Sequence, residues 1–219
     1  MNLSDIIGPI MVGPSSSHTA GAVRIGLISR KLLGVPPVQA DICLHGSFAA
    51  TGAGHGTDRA LVAGLLGMKP DDPRIPDSYA AAAENGLQFT IRTADLRGAH
   101  PNTAELHLTA GDGSSLTVRA ASVGGGRIQV TRLDDIAVNF SGASATLIVR
   151  NQDRPGLVSE VSSILAFSRI NIATMQLFRD RRGGTAVMVV EIDSPLPAPA
   201  VSMLEQLNGV LRVICLDAL

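Results

Sequence analysis

The last third of the chain switches between two hydrophobic periods in a fixed order, and that order restricts the fold more than any other feature. Thr146–Arg150 reads as a strand. Asn151-Gln152-Asp153-Arg154-Pro155-Gly156 reads as a turn, because Pro and Gly interrupt regular structure. Leu157, Val161, Ile164 and Leu165 then recur at i, i+4, i+7 and i+8, the signature of one helix face. Arg169–Phe178 and Thr185–Ile192 are strands around Arg181-Arg182-Gly183-Gly184. Pro199 lies in the first turn of a second helix, with Met203, Leu204 and Leu207 inward and Gly209 at its end. Val210–Cys215 is a last strand.

The order β-α-β-β-α-β is the ferredoxin-like split arrangement. Before it lies Ser141-Gly142-Ala143-Ser144, small and polar enough to be a linker. The expected organisation is a domain over 1–140, a linker over 141–145 and a domain over 146–219.

The first part is organised around Gly13-Pro14-Ser15-Ser16-Ser17-His18-Thr19. Thr19–Leu33 reads as a helix with Ile25, Ile28 and Leu32 on one face, stopped by Gly34 and Pro36. The polar run therefore lies at or just before a helix N-terminus. The first N–H groups there lack intrahelical partners, and the dipole is positive. Such a place suits an anion, for example a substrate carboxylate. One hydroxyl could be a plain N-cap. Five polar side chains in a row, one of them histidine, exceed what a cap requires.

Leu3–Val12 is apolar around Gly8-Pro9 and feeds the serine run. After the first helix, Val38, Ala40, Ile42 and Leu44 alternate with polar neighbours as a strand. Thr51–Asp58 reads as a glycine-rich loop, leading into a helix over Arg59–Leu66. Ser78–Asn85 is a short alanine-rich helix. Strands follow around Leu87–Ile91, Leu106–Leu108, Leu116–Ala120 and Ile128–Thr131, with Ala110-Gly111-Asp112-Gly113-Ser114 as a hairpin turn. Early helices and a late, mostly antiparallel sheet make this an α+β domain.

Composition narrows the partners. A formal net charge of −1 gives no electrostatic basis for binding nucleic acid. No apolar run reaches the ~18 residues of a membrane span, so no membrane partner is expected. Met1-Asn2-Leu3-Ser4-Asp5 lacks a basic leader region, which points to the cytoplasm. Cys43 and Cys215 read as free thiols in a reducing compartment. Two cysteines cannot ligate a typical iron–sulfur cluster or zinc site. His18, His45, His55 and His100 lack ligand spacing, so no metal site is expected on this chain.

Asp153-Arg154-Pro155-Gly156-Leu157 at the first strand–helix turn, with Ile170-Asn171-Ile172 after the helix, resembles an ACT domain. The resemblance implies pairing of two copies through their sheets. It also implies contact with an amino-acid effector through Asn151, Asp153 and Asn171. Serine-sensing members often carry Asn where this chain has Asp153, so the effector stays open.

Five blocks of the first domain resemble the β chain of iron–sulfur L-serine dehydratases. They are Ile7–Gly21, Leu44–Ala49, Gly54-His55-Gly56-Thr57-Asp58, His100-Pro101-Asn102-Thr103 and Ser122-Val123-Gly124-Gly125-Gly126. The resemblance implies a two-chain enzyme that converts L-serine to pyruvate and ammonia in amino-acid metabolism and gluconeogenesis. The 4Fe–4S cluster and its cysteines would belong to the separate α chain, and this chain alone would bind no cofactor. The first domain also resembles the allosteric substrate-binding domain of some phosphoglycerate dehydrogenases. A non-catalytic amino-acid-sensing protein is therefore the alternative function.

For the enzyme, His18 is the candidate acid/base, since imidazole titrates near neutral pH. Ser15, Ser16, Ser17 and Thr19 would hold the substrate's carboxylate or ammonium. His55 is either a substrate residue or a loop residue pairing with Asp58. Asn102 either faces the same cleft or belongs to a plain turn. His45 closes a strand and holds the Gly-Ser-Phe turn, and His107 points to solvent. Gly124-Gly125-Gly126 either presents N–H groups to an anion or makes a bend.

Overall fold

The structure, a computed structural model, describes residues 10–219. The stretch expected over Leu3–Val12 lies mostly outside them. The chain divides at Asp134/Asp135 into two compact units.

In the first unit a π-helical turn, Ser16–Ala20, runs into α1 (Gly21–Leu33). β1 (Pro37–Leu44), α2 (Gly46–His55), α3 (Thr57–Leu65) and α4 (Ser78–Glu84) follow. β2 (Gln88–Thr93), β3 (Thr103–Ala110), β4 (Ser115–Gly124) and β5 (Arg127–Leu133) complete it. The strand order within the unit is β2-β1-β3-β4-β5. Only the β1–β2 pair is parallel, and the other pairs are antiparallel.

The apolar faces are those the periodicity requires. Ile25, Ile28 and Leu32 of α1 are fully buried, as are Ile42 of β1 and Leu106 and Leu108 of β3. α1 crosses α3 at backbone distance. A methyl group on Gly26 would overlap Leu61 O, and one on Gly64 would overlap Val23 O, well inside van der Waals contact distance. β4 and β5 turn through Gly125 and Gly126, with φ of 61° and 73°. Two successive positive φ values make the two-residue hairpin whose twist matches its strands. Arg24 Nη1 donates to Gly126 O at 2.9 Å and ties this bend to α1.

Two expectations need correction here. Residues 51–55, expected in a glycine-rich loop, form the last part of α2. Glycine costs a helix up to about 1 kcal/mol per residue, and α2 carries Gly46, Gly52 and Gly54. Tertiary packing outweighs that cost, because Phe48 is fully buried and anchors the helix. The chain turns only at Gly56, at φ 64°, before α3 starts. Thr19 and Ala20, expected to open the first α-helix, belong instead to the π-helical turn Ser16–Ala20, and α1 begins at Gly21.

The second unit opens with β6 (Ile136–Phe140), which precedes the 141–145 segment. Ile136, Val138 and Phe140 are buried, and the strand lies against β8 and β9. β7 (Ala145–Gln152), α5 (Leu157–Phe167), β8 (Ile172–Arg179), β9 (Thr185–Ile192), α6 (Ala198–Glu205) and β10 (Val210–Leu216) follow. The sheet order is β10-β7-β9-β8, all antiparallel. Leu157, Val161, Ile164 and Leu165 pack with Leu147, Val149, Met188, Val190 and Leu204 in one core. Arg169, expected inside a strand, sits at φ 57° and donates its N–H to Ala166 O, closing α5 instead.

Among the described residues no helix is long and apolar enough to cross a membrane.

Candidate functional site

The site is assembled from four separate stretches of the first unit. The first is the π-helical turn. Ser15 caps it, and its Oγ accepts the N–H of His18 at 3.1 Å. Ser16 O accepts from the N–H of Gly21, and Ser16, Ser17 and His18 are half-buried. Thr19 is buried, and its hydroxyl donates to His55 O at 3.2 Å. Thr19 thus ties the end of α2 to the turn.

The second stretch is α2. Gly46 has φ 56°, and a Cβ there would lie 2.6 Å from Pro101 O. Pro101 O accepts the N–H of Ser47 at 2.8 Å. This wedge brings Ser47 Oγ to 3.0 Å from Nε2 of His18. On the other side of the ring, Nδ1 lies 3.5 Å from Ser15 Oγ. Phe48 and the imidazole meet edge to face, with centroids 5.4 Å apart and planes at 62°. His55, from the last turn of α2, stacks on it at 5.1 Å. His55 Nδ1 lies 3.3 Å from Thr51 O, while Asp58 accepts from Tyr79 Oη at 2.7 Å. The His55–Asp58 pairing is therefore not formed.

The third and fourth stretches close the ring. Asn102 O accepts the N–H of Ser122 at 2.9 Å, and Asn102 Nδ2 reaches Ser122 O at 3.5 Å. Ser122 packs directly on Gly21, where any side chain would collide with it. Ser122 Oγ is buried without a hydrogen-bond partner. His100 is exposed, and its Nδ1 accepts the N–H of Asn102 at 3.1 Å.

His45 does not hold the Gly-Ser-Phe turn through its ring. Its Nδ1 accepts the N–H of Leu96 at 3.1 Å and so fixes the segment after β2. His107 is exposed on β3, with Nδ1 2.9 Å from Thr117 Oγ1.

Electrostatically the site favours a neutral imidazole. Burial, and second the neighbouring His55, hold His18 below its ordinary value of 6.5. A neutral ring can accept a proton. The sequence reading missed Ser47. Its one signal was position, since a Gly-Ser pair directly after a strand is where a side chain is presented at a helix start.

The residues of this chain do not fit a resident iron–sulfur cluster. Such a cluster needs several thiolates on one site, and this chain has two cysteines. Cys43 is buried on β1 with Arg92 Nη1 3.6 Å from its sulfur, and Cys215 is on β10 in the other unit. Among the described residues no three His, Cys, Asp or Glu side chains converge as a metal site.

The serine dehydratase beta chain family matches residues 4–93, and the ACT domain family matches residues 145–209. The chain is 39% identical to the L-serine dehydratase beta chain of Peptoniphilus asaccharolyticus, over 88% of this chain and 87% of that one. The chain belongs to the L-serine dehydratase β-chain family. A probable member from Bacillus subtilis is 37% identical over 95% of this chain and 94% of that one. D-3-phosphoglycerate dehydrogenase of Synechocystis is 26% identical over 86% of this chain, which spans 34% of that protein.

In this β chain the ACT residues are placed as follows. Asn151 is buried at the end of β7, where Nδ2 donates to Gln152 O at 2.7 Å and Oδ1 has no partner. Asp153 accepts from the N–H of Gly183 and from Arg179 Nη1, each at 2.9 Å. Those two contacts, Gly183 first, hold its carboxyl below the usual range. Asn171 is exposed and donates to Asp193 Oδ2 at 2.7 Å. Asn151 pairs with Ala186 at the start of β9, whereas Ile172, beside Asn171, pairs with Ile192 at its end. Within one chain Asn171 therefore lies at the other end of the sheet from Asn151 and Asp153.

Proposed function

We propose that this chain is the β subunit of an L-serine dehydratase that turns L-serine into pyruvate and ammonia, active only with a cluster-bearing α chain. The observation that carries the reading is the half-buried His18, held between the hydroxyls of Ser15 and Ser47 in a chain of this family. A 4Fe–4S cluster on the partner would act as a Lewis acid on the departing hydroxyl.

The residues of this chain bind and move a proton. His18, neutral near pH 7, takes the α-proton of serine. Ser16 and Ser17, with N–H groups at the start of the π-helical turn, hold the carboxylate, while the Ser15 hydroxyl faces Nδ1 of His18. Thr19 contributes by keeping His55 against the ring, and Asn102 completes the cleft from the β4 side. Loss of the α-proton and of hydroxide leaves an enamine. It tautomerises to an imine, and water converts the imine to pyruvate and ammonia.

In the ACT domain, Asn151, Asp153 and Asn171 bind an amino-acid effector. Their placement at opposite ends of one sheet means that a shared site needs a second copy of the chain, consistent with self-association through these domains. The setting is the cytoplasm, where Cys43 and Cys215 stay reduced.

The test is to express the chain with and without its cluster-bearing partner, anaerobically, and to measure pyruvate from L-serine. Activity in the mixture alone supports the reading. An inactive mixture with an intact cluster, in which this chain still binds an amino acid, overturns it in favour of a sensor.

A further inference from the structure

The two nitrogens of His18 meet unequal partners. Nδ1 lies 3.5 Å from Ser15 Oγ, and that oxygen already accepts the N–H of His18 at 3.1 Å. A serine hydroxyl that accepts one N–H keeps a proton and a second lone pair, so the contact lets Nδ1 act as the acceptor. A neutral ring carries one proton, and with Nδ1 as the acceptor that proton is on Nε2, 3.0 Å from Ser47 Oγ.

We propose that Ser47 is a positioning residue for His18: it takes the Nε2–H hydrogen bond, fixes the tautomer and orientation of the ring, and leaves Nδ1 as the nitrogen that accepts a proton. The proposal rests on the reading of His18 as the proton-accepting group.

Ser47 is built for this. Its N–H is bound to Pro101 O at 2.8 Å, and its carbonyl accepts from Thr51 Oγ1 at 2.8 Å. Gly46, wedged on Pro101, leaves the residue no room to shift towards that loop. Phe48 edge-on and His55 at 5.1 Å hold the ring from two further directions. The long contact to Ser15 leaves the Nδ1 lone pair weakly held, as a proton acceptor requires.

The same geometry disfavours a nucleophilic role for Ser47. An acyl intermediate needs hydrogen-bond donors for its oxyanion, most often backbone N–H groups beside the nucleophile. The N–H groups of Ser47 and Phe48 are bound to Pro101 O, and that of Ala49 to His45 O.

The experiment is nitrogen-15 NMR of the His18 ring in the full chain, with Ser47→Ala and Ser47→Thr alongside. The wild-type ring should be protonated on Nε2 near neutral pH, with a ring proton slow enough in exchange to observe. Ser47→Ala should lose that signal to solvent exchange, and Ser47→Thr should keep it. A proton on Nδ1 in the wild type overturns the proposal, as does an unaltered ring in Ser47→Ala.

In the assembled enzyme, Ser47→Ala should lower kcat by about tenfold or more, with KM changed by less than about threefold. Ser47→Thr should recover most of kcat. If the enzyme is active, His18→Ala abolishes turnover and Ser47→Ala does not lower it, this inference fails while the dehydratase reading stands. If the mixture is inactive but the ring behaves as described, the dehydratase reading fails and the positioning of His18 holds.

Discussion

The imidazole rings of His18 and His55 lie with centroids 5.1 Å apart and planes tilted by 35°. Burial of His18, and then this neighbour, make a proton on His18 costlier in the folded chain than in the unfolded one. Below the unfolded value of 6.5 the unfolded chain therefore binds more protons, and stability rises with pH across that window. The contribution is complete above 6.5 and is lost as pH falls through the lower folded value. The melting temperature should drop between about pH 7.5 and about pH 5.5, and should drop less in His18→Gln. Equal drops in both proteins would mean that His18 is not the group responsible.

His55→Gln removes the second cause of the lowered value while burial stays. The His18 value should rise part of the way back, and the acid limb of kcat/KM in the assembled enzyme should move to higher pH. A limb that stays put would show that His55 does not act on His18 electrostatically.

Gly26 and Gly64 face each other where α1 crosses α3, each against a backbone carbonyl of the other helix. Alanine at either position gains up to about 1 kcal/mol in helix propensity. It loses more through overpacking, about 1–3 kcal/mol or beyond, because a carbonyl cannot move aside like a flexible side chain. Gly54, in α2, has no heavy atom within 4 Å of its missing Cβ. Gly54→Ala should therefore stabilise by about 0.5–1 kcal/mol. Urea unfolding of the three variants should give two losses and one gain. A stabilised Gly26→Ala would contradict the close crossing.

What the sequence showed and what it hid follow one physical line. Leu157, Val161, Ile164 and Leu165 announced α5 because a helix on a core repeats its apolar residues with the helical period, and all four are buried. α2 stayed hidden because Gly46, Ala49, Ala50, Gly52 and Gly54 carry no period, and its large buried side chain, Phe48, does not repeat at helical spacing. β6 alternates at Ile136, Val138 and Phe140, but five residues directly after Asp134-Asp135 give the period too few repeats to stand out. His18 was legible because its run is polar beyond the needs of a cap. Ser47 was not, because its bond to His18 spans 29 residues and depends on Gly46 meeting Pro101.

The placement of Asn171 away from Asn151 and Asp153 makes effector binding a question of assembly. If these residues share one ligand, a bound amino acid should shift the chain towards dimers in sedimentation. Asn171→Ala and Asp153→Ala should then each weaken binding by about tenfold, the loss of one or two hydrogen bonds to a charged ligand. L-serine is the first amino acid to use, as the proposed substrate. Unchanged affinity in Asn171→Ala, with the ligand bound to a monomer, would separate Asn171 from the effector site.

Gly46 is where backbone geometry and chemistry meet. Its φ of 56° disfavours any L side chain, and a Cβ would press on Pro101 O at 2.6 Å. A non-glycine residue in the left-handed region costs roughly 1–2 kcal/mol, and relief of the contact has to displace either the Pro101 loop or the start of α2. Ser47 rides on that start, and its Oγ reaches Nε2 of His18 at 3.0 Å only while Gly46 stays seated. Gly46→Ala should therefore lose stability by about 1–3 kcal/mol, and turnover should fall in the fraction that remains folded. Denaturant unfolding gives the first quantity, and kcat in the assembled enzyme, corrected for folded protein, gives the second. A variant that loses stability but keeps kcat would show that the wedge serves the fold alone.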